Sequence, residues 1–254
     1  MGGIVVEKQD KVISVILDLP PVNALTMKSY EELTAVFTEV GRRDDVHCVV
    51  FTGRGSRAFC AGLDLKEFLA MPLEQDTERA LIIRAAFKSV RLCAIPVIAA
   101  VNGPALGAGM VLAAASDIRI ASEKATFGMP EINVGRCGGA AHVGRHISPG
   151  MLRQLYFTGK PIGAQEALRI GLVEQVVAPD LLLPTAYELA GSISRKSPIG
   201  LRMAKEALNR VEWMQVEEGY ELEQQYSNKL LHYEDTREAT RASVERREPV
   251  FKGR

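Results

Sequence analysis

Glu131 is the carboxylate whose surroundings best fit proton transfer. It lies in residues 127–135 (FGMPEINVG), a segment that is apolar, bounded by glycines and free of other charges. A carboxylate among apolar neighbours can have a raised pKa and can exchange a proton with a bound substrate. The alternative is a solvated or helix-capping glutamate, and the spacing of the residues alone does not separate the two.

Two glycine-containing turns, residues 59–65 (FCAGLDL) and 102–110 (NGPALGAGM), each lead into a predicted helix. The start of a helix carries unpaired backbone N–H groups and a partial positive charge. Two such N–H groups aimed at one oxygen would stabilise an enolate or another oxyanion. The alternative is that the glycines only permit tight turns between a strand and a helix. Neither turn has the spacing of a dinucleotide-binding or P-loop motif.

Strands and helices alternate through the first half of the chain. The predicted strands are residues 4–6, 12–17, 46–52, 96–101 and 118–121, of which the first two form a hairpin. The predicted helices are residues 27–43, 62–70, 74–92 and 106–115. Strands separated by helices need crossover connections and therefore pair mostly in parallel, which predicts an α/β fold.

The pattern becomes helical from about residue 138 onwards. Residues 198–211 and 214–233 are amphipathic, and residues 235–238 (DTRE) predict a capping box for a last helix, with Asp235 as the cap. We therefore predict a β/α core over residues 1–195 and a helical region over 196–254. This region would pack on the core or on a neighbouring subunit.

Composition and charge argue against several classes of protein. The chain has 254 residues, and its 31 basic residues balance 31 acidic ones, whereas nucleic-acid and anionic-membrane binders need a basic surplus. The four cysteines, which are Cys48, Cys60, Cys93 and Cys137, are too widely spaced for a zinc motif. They are expected to be reduced thiols. With no secretory signal visible at the N-terminus, we expect a cytoplasmic location.

Residues 92–116 carry no charge at all, and this stretch is long enough to span a membrane. Prolines and glycines break it into a predicted strand, a turn and a short helix, which a membrane-spanning helix does not need. We therefore predict that it crosses the core of a parallel β/α layer, where both faces of a strand are buried. It would form the dry floor of a binding site.

Several motifs occur together in a fixed order: PVNAL (21–25), AFCAGLDL (58–65), PVIAAVNG (96–103), ALGAG (105–109), FGMPE (127–131), TGK (158–160), AQEA (164–167), GLV (171–173) and ERREPVF (245–251). This order resembles the crotonase family, the enoyl-CoA hydratase/isomerase superfamily. The resemblance implies a spiral of ββα units with a C-terminal helical trimerisation region. It also implies a homotrimer or dimer of trimers and an acyl-CoA substrate, with no metal and no cofactor beyond the coenzyme A of the substrate.

The resemblance also implies the residues of the site. The backbone N–H groups of Ala61 and Ala108 would hold the thioester oxygen, and Glu131 would move the proton. Val111 would border the acyl group. The first turn would contact the CoA part, and Ala24 would lie near its adenine end; the turn residues concerned are Ala61, Gly62, Leu63, Asp64 and Leu65.

One departure from the family pattern bears on the reaction. Family hydratases usually read ALGGGxELA at the second turn, whereas this chain reads ALGAGMVLA, so Val111 replaces the first of two glutamates. Hydration by the two-glutamate route uses both carboxylates to hold and split one water, but a single carboxylate can run a 1,3-proton shift. The sequence therefore slightly favours double-bond isomerisation. A single-glutamate hydratase, such as one for aromatic enoyl-CoA, is the alternative.

The alternative of another class is a non-catalytic acyl-CoA-binding or RNA-binding scaffold, and the neutral net charge of the chain argues against RNA binding.

The loop at residues 135–139 is shorter than in relatives and lacks a proline, which affects the acyl pocket. His142, Arg145 and His146 follow it and could supply an acid, but we predict that they are ordinary polar residues of the next helix.

Overall fold

The computed structural model describes residues 2–254. The strands, in chain order, are β1 (Gly3–Gln9), β2 (Val12–Asp18), β3 (Ala24–Leu25), β4 (Cys48–Gly53), β5 (Gly62–Leu63), β6 (Val97–Val101), β7 (Ala105–Leu106), β8 (Ile118–Ser122), β9 (Thr126–Gly128), β10 (Ile162–Gly163) and β11 (Gln175–Val177). The helices are α1 (Met27–Arg42), α2 (Leu65–Ala70), α3 (Asp76–Arg91), α4 (Ala108–Ala115), α5 (Ala140–Val143), α6 (Pro149–Thr158), α7 (Ala164–Arg169), α8 (Leu182–Ser194), α9 (Pro198–Val211), α10 (Val216–Leu230) and α11 (Glu234–Glu245).

The main sheet has the strand order β1-β2-β4-β6-β8-β11. The first pair is the predicted antiparallel hairpin, and every later pair is parallel. Short strands form a second layer in which β7 pairs with β9 and β3 pairs with β5. This α/β arrangement, followed by a C-terminal helical region, confirms the predicted fold class.

The uncharged stretch lies in the core, as predicted. All residues of β6 are buried, and so are all residues of α4 except its first. Parallel strands in such a layer are covered on both faces, which explains why this segment has no charged side chain. Within residues 2–254, no helix has both the length and the apolar character needed to cross a membrane.

Two helices begin later than predicted. The helix expected from residue 62 begins at Leu65, because Gly62 and Leu63 first pair with β3. The helix expected from residue 106 begins at Ala108, because Ala105 and Leu106 first pair with β9. In both cases a two-residue strand precedes the helix, and such short strands leave little trace in the periodicity of a sequence.

The predicted capping role of Asp235 was wrong. The last helix begins at Glu234, so Asp235 lies inside its first turn. The buried Asp235 carboxylate instead accepts hydrogen bonds from the backbone N–H groups of Lys252 and Gly253 at 2.7 and 3.0 Å. The residue therefore fastens the C-terminal segment against the helical region.

Candidate active site

A cavity of about 450 Å³ opens between the two glycine turns and Glu131. The predicted site residues that line it are Ala61, Gly62, Leu63, Leu65, Ala108, Val111 and Glu131. Ala24 and Asp64 are not among its lining residues. The rest of the wall is mainly hydrocarbon and aromatic, which suits an acyl chain.

The two turns lie against each other. The backbone N–H of Leu106 donates to Cys60 O at 3.0 Å, and the Cys60 N–H donates to Pro104 O at 3.1 Å. Gly62 has a φ of +99°, and a Cβ on it would lie 2.9 Å from Leu106 O and 3.6 Å from Ala108 N. Only glycine allows this approach, and it brings the first turn beside the start of α4.

Ala108 is the first residue of α4, so its N–H has no acceptor within the helix. The preceding N–H, that of Gly107, is occupied by Gly128 O at 2.9 Å. Ala108 also lines the cavity. Its position therefore fits the expected role of an oxyanion donor, with the partial positive charge of the helix start behind it.

The first turn differs from the expectation for Ala61. The Ala61 N–H donates to Val22 O at 3.1 Å, so it is not free for a ligand. The Asp64 N–H donates to Leu25 O at 2.9 Å. Because successive N–H groups of a strand point to opposite sides, the Leu63 N–H points away from β3, towards the cavity that Leu63 lines. We therefore expect the free donor of this turn to be the Leu63 N–H, two residues after Ala61.

Glu131 lies on a short 3-10 turn (Pro130–Val134) after β9. Its carboxylate is beside the second turn, because a Cβ on Gly107 would lie 3.1 Å from Glu131 Oε1. The other oxygen, Oε2, is buried and has no hydrogen-bond partner among the described residues. Burial raises the pKa of the carboxyl above its usual value of 4.5, and its own backbone N–H partly opposes this. This arrangement differs from that of a solvated glutamate and is compatible with proton transfer.

Val111 lines the cavity with a hydrocarbon side chain, which can neither form hydrogen bonds nor transfer protons. It is 1% exposed. A Cβ on Gly139 would lie 2.4 Å from Val111 Cγ2, so the loop after Glu131 packs closely on this side chain. Gly139 and Val111 thus lie side by side in the cavity wall.

Asp64 and Ala24 make contacts within the local structure of the first turn and the neighbouring β3. Asp64 caps α2, and its Oδ1 accepts from the backbone N–H groups of Lys66 and Glu67 at 2.9 and 3.0 Å. Ala24 pairs with Gly62 across the two-stranded sheet. Their contacts with the CoA part remain a prediction.

His142, Arg145 and His146 do not line the cavity formed by the described residues. His146 Nε2 lies 2.8 Å from Ala114 O, and burial lowers the pKa of His146 to about 4. Arg145 pairs with Glu212. His142 faces a neighbouring hollow, where burial lowers its pKa.

Aromatic residues of the wall were not singled out from the sequence. Tyr30, Phe68 and Phe87 line the cavity from α1, α2 and α3. Tyr30 has the helical spacing of an ordinary core residue, so nothing in the sequence distinguished it from Leu33 or Phe37. Within residues 2–254, no three potential metal ligands lie close enough together to form a metal site.

Comparisons with known proteins find relatives over nearly the whole chain. The sequence model of the enoyl-CoA hydratase/isomerase family matches residues 7–254. The putative enoyl-CoA hydratase/isomerase YngF of Bacillus subtilis is 38% identical over 234 residues, covering 91% of this chain and 90% of that protein. The short-chain-enoyl-CoA hydratase of Clostridium acetobutylicum is 36% identical, covering 97% of this chain and 96% of that protein. The crystal structure of an enoyl-CoA hydratase from Bacillus anthracis superimposes with a TM-score of 0.96 at 36% identity, covering 99% of this chain and 100% of that one.

Proposed function

This chain belongs to the enoyl-CoA hydratase/isomerase family, and we propose that it binds an enoyl-CoA thioester and moves a proton on the acyl chain with Glu131. The observation that carries the proposal is the buried, unpartnered Oε2 of Glu131 beside the second turn. A buried polar atom without a partner costs about 1–3 kcal/mol. A bound substrate or water would relieve that cost.

The backbone donors in the proposal are the N–H groups of Leu63 and Ala108, which would hold the thioester oxygen. As Glu131 removes a proton from the carbon next to the thioester, negative charge moves onto that oxygen. Two fixed donors stabilise this charge without reorganising during the reaction. Leu63 replaces Ala61 in this role because the Ala61 N–H is already bonded to Val22 O.

Isomerisation of the double bond is the reaction we favour. Glu131 takes a proton from C2 of a 3-enoyl-CoA, the electrons move through a dienolate, and the same carboxyl returns the proton to C4. No water is consumed and no second carboxylate is needed, which matches the hydrocarbon side chain of Val111. The only coenzyme in this scheme is the coenzyme A that the substrate carries.

Hydration of a 2-enoyl-CoA is the second candidate. It is favoured by the Clostridium acetobutylicum relative, whose name is that of a hydratase and which covers nearly the whole chain. In this reaction Glu131 would remove a proton from a water whose oxygen bonds to C3. The carboxyl would then return the proton to C2.

One product analysis tests the two candidates. The purified protein is incubated separately with aliphatic 2-enoyl-, aliphatic 3-enoyl- and aromatic enoyl-CoA thioesters, and the products are identified by mass and chromatography. Conversion of the 3-enoyl thioester at unchanged mass is the result we expect. A mass gain of one water from a 2-enoyl thioester would support hydration, alone or beside isomerisation, and no conversion of any thioester would contradict the proposed function.

Self-association completes the proposal. Large apolar side chains are exposed where α9 leads into α10: Trp213 is 73%, Val216 81% and Tyr220 60% exposed. Grouped exposed apolar residues are typical of interfaces between proteins. We propose that the helical region joins copies of this chain as a trimer or a dimer of trimers.

A further inference from the structure

Tyr30 forms part of the cavity wall although it is only 1% exposed. The hydrogen bonds of Tyr30 involve only its main chain. Its N–H donates to Thr26 O, and its backbone O accepts from Thr34 Oγ1. No hydrogen bond of its hydroxyl occurs among residues 2–254, and the hydroxyl is not one of the fully buried atoms that lack a partner. It therefore keeps some contact with open space, and the cavity that Tyr30 lines provides it. A molecule in the cavity is the available partner.

The ring of Tyr30 is held in place by packing. It meets Phe87 edge to face, with the ring centroids 6.0 Å apart, and belongs to the main hydrophobic core. A ring fixed in this way presents its hydroxyl at a defined position.

Burial keeps the Tyr30 hydroxyl protonated. It raises the pKa of the phenol well above the usual 10.0, and electrostatic repulsion from Cys60, Glu131 and Glu67 raises it further. Tyr30 and Glu131 line the same cavity. At neutral pH the hydroxyl can both donate and accept a hydrogen bond.

The other polar side chains of the wall do not offer the same contact. Asn133, Arg136 and Cys137 are exposed at the rim, whereas Tyr30 and Glu131 are the polar lining side chains that are not exposed. Val111 contributes hydrocarbon alone. A small molecule bound deep in the cavity thus has two polar side chains available, one carboxylate and one phenol.

We propose that the Tyr30 hydroxyl positions the water that Glu131 activates, so that hydration of a 2-enoyl-CoA proceeds with a single carboxylate. The inference rests on the hydration reaction named above as the second candidate. Glu131 takes one hydrogen of the water as its oxygen bonds to C3, and the Tyr30 oxygen accepts a hydrogen bond from the other hydrogen. The double-bond electrons move to the thioester oxygen, and Glu131 then returns its proton to C2. Tyr30 keeps its own proton throughout and acts as a positioning residue.

Tyr30→Phe tests the role, because it keeps the ring and removes only the oxygen. Loss of one neutral hydrogen bond of about 1.5 kcal/mol predicts a fall of roughly tenfold in kcat for hydration. The Kd for a CoA thioester and any isomerisation rate should stay within about twofold. The matched control is Tyr187→Phe, whose hydroxyl bonds to Ser14 on the other side of the sheet and does not line the cavity.

Three results would overturn the inference. Hydration by Tyr30→Phe at the wild-type rate would remove any role for the hydroxyl. An equal fall in hydration, isomerisation and thioester binding would assign Tyr30 a structural role. Absence of hydration by the wild-type protein would exclude the inference while leaving the proposed isomerisation by Glu131 intact.

Discussion

At the scale of single residues, the account depends on where one carboxylate lies. Glu131 has one oxygen near Gly107 and the other buried without a partner. Burial alone would be a cost for the folded protein. It becomes useful when the group must accept a proton near neutral pH, because a raised pKa makes a carboxylate a stronger base.

The pH dependence of activity follows from this burial. Glu131 must be ionised to remove a proton, and its pKa lies above the usual 4.5. We expect kcat/KM to fall on the acid side with a midpoint above 4.5. For stability the sign is opposite: the folded state loses stability as the pH rises from 4.5 through the folded pKa, because ionisation of a buried carboxyl is disfavoured. A kcat/KM profile that stays level down to pH 4.5 would contradict the assignment.

Sequence motifs located the residues at the site better than they identified which atoms are free. Ala108 and Glu131, both expected at the site, line the cavity. The sequence predicted a free N–H at Ala61. This N–H is bonded to Val22 O, and a local motif does not reveal that bond because the two residues are distant in the chain. Tyr30 was not singled out for a related reason, since its contribution to the cavity wall is a tertiary feature and its spacing is that of a core residue.

At the scale of elements, the regular strands and helices were predicted from periodicity and the short ones were not. The alternation of β4, α3 and β6 was evident because each is a continuous apolar or amphipathic run. The two-residue strands β5 and β7 were missed, and so was the bridge between Cys60 and Ala105 that joins the two turns. Their pairing is determined by tertiary contacts between glycine-containing segments, which a local pattern does not encode.

At the scale of the whole molecule, the order of motifs along the chain was sufficient to predict the α/β fold and its helical C-terminal region. The proposed self-association involves contacts between chains, which the structure of a single chain does not contain. It depends on whether the exposed side chains around Trp213 meet a second copy.

We expect the protein to have a mass in solution of three or six times the 27.7 kDa of one chain. Trp213→Glu should lower this mass by placing a charge in the proposed interface, as measured by light scattering. Val6→Glu, at a half-exposed residue of β1, is the control and should leave the mass unchanged. A wild-type mass of a single chain would contradict the proposed assembly.

The most direct test of the central claim is the activity of Glu131→Gln. This variant keeps the size of the side chain but cannot accept the proton, and loss of a general base lowers turnover by roughly 10²–10⁴-fold. We expect product formation from every enoyl-CoA thioester that the wild type converts to fall in that range, while the Kd for the thioester changes little. Glu188→Gln, on the exposed side of α8, should behave like the wild type. Turnover by Glu131→Gln within tenfold of the wild type would contradict the claim that Glu131 moves the proton.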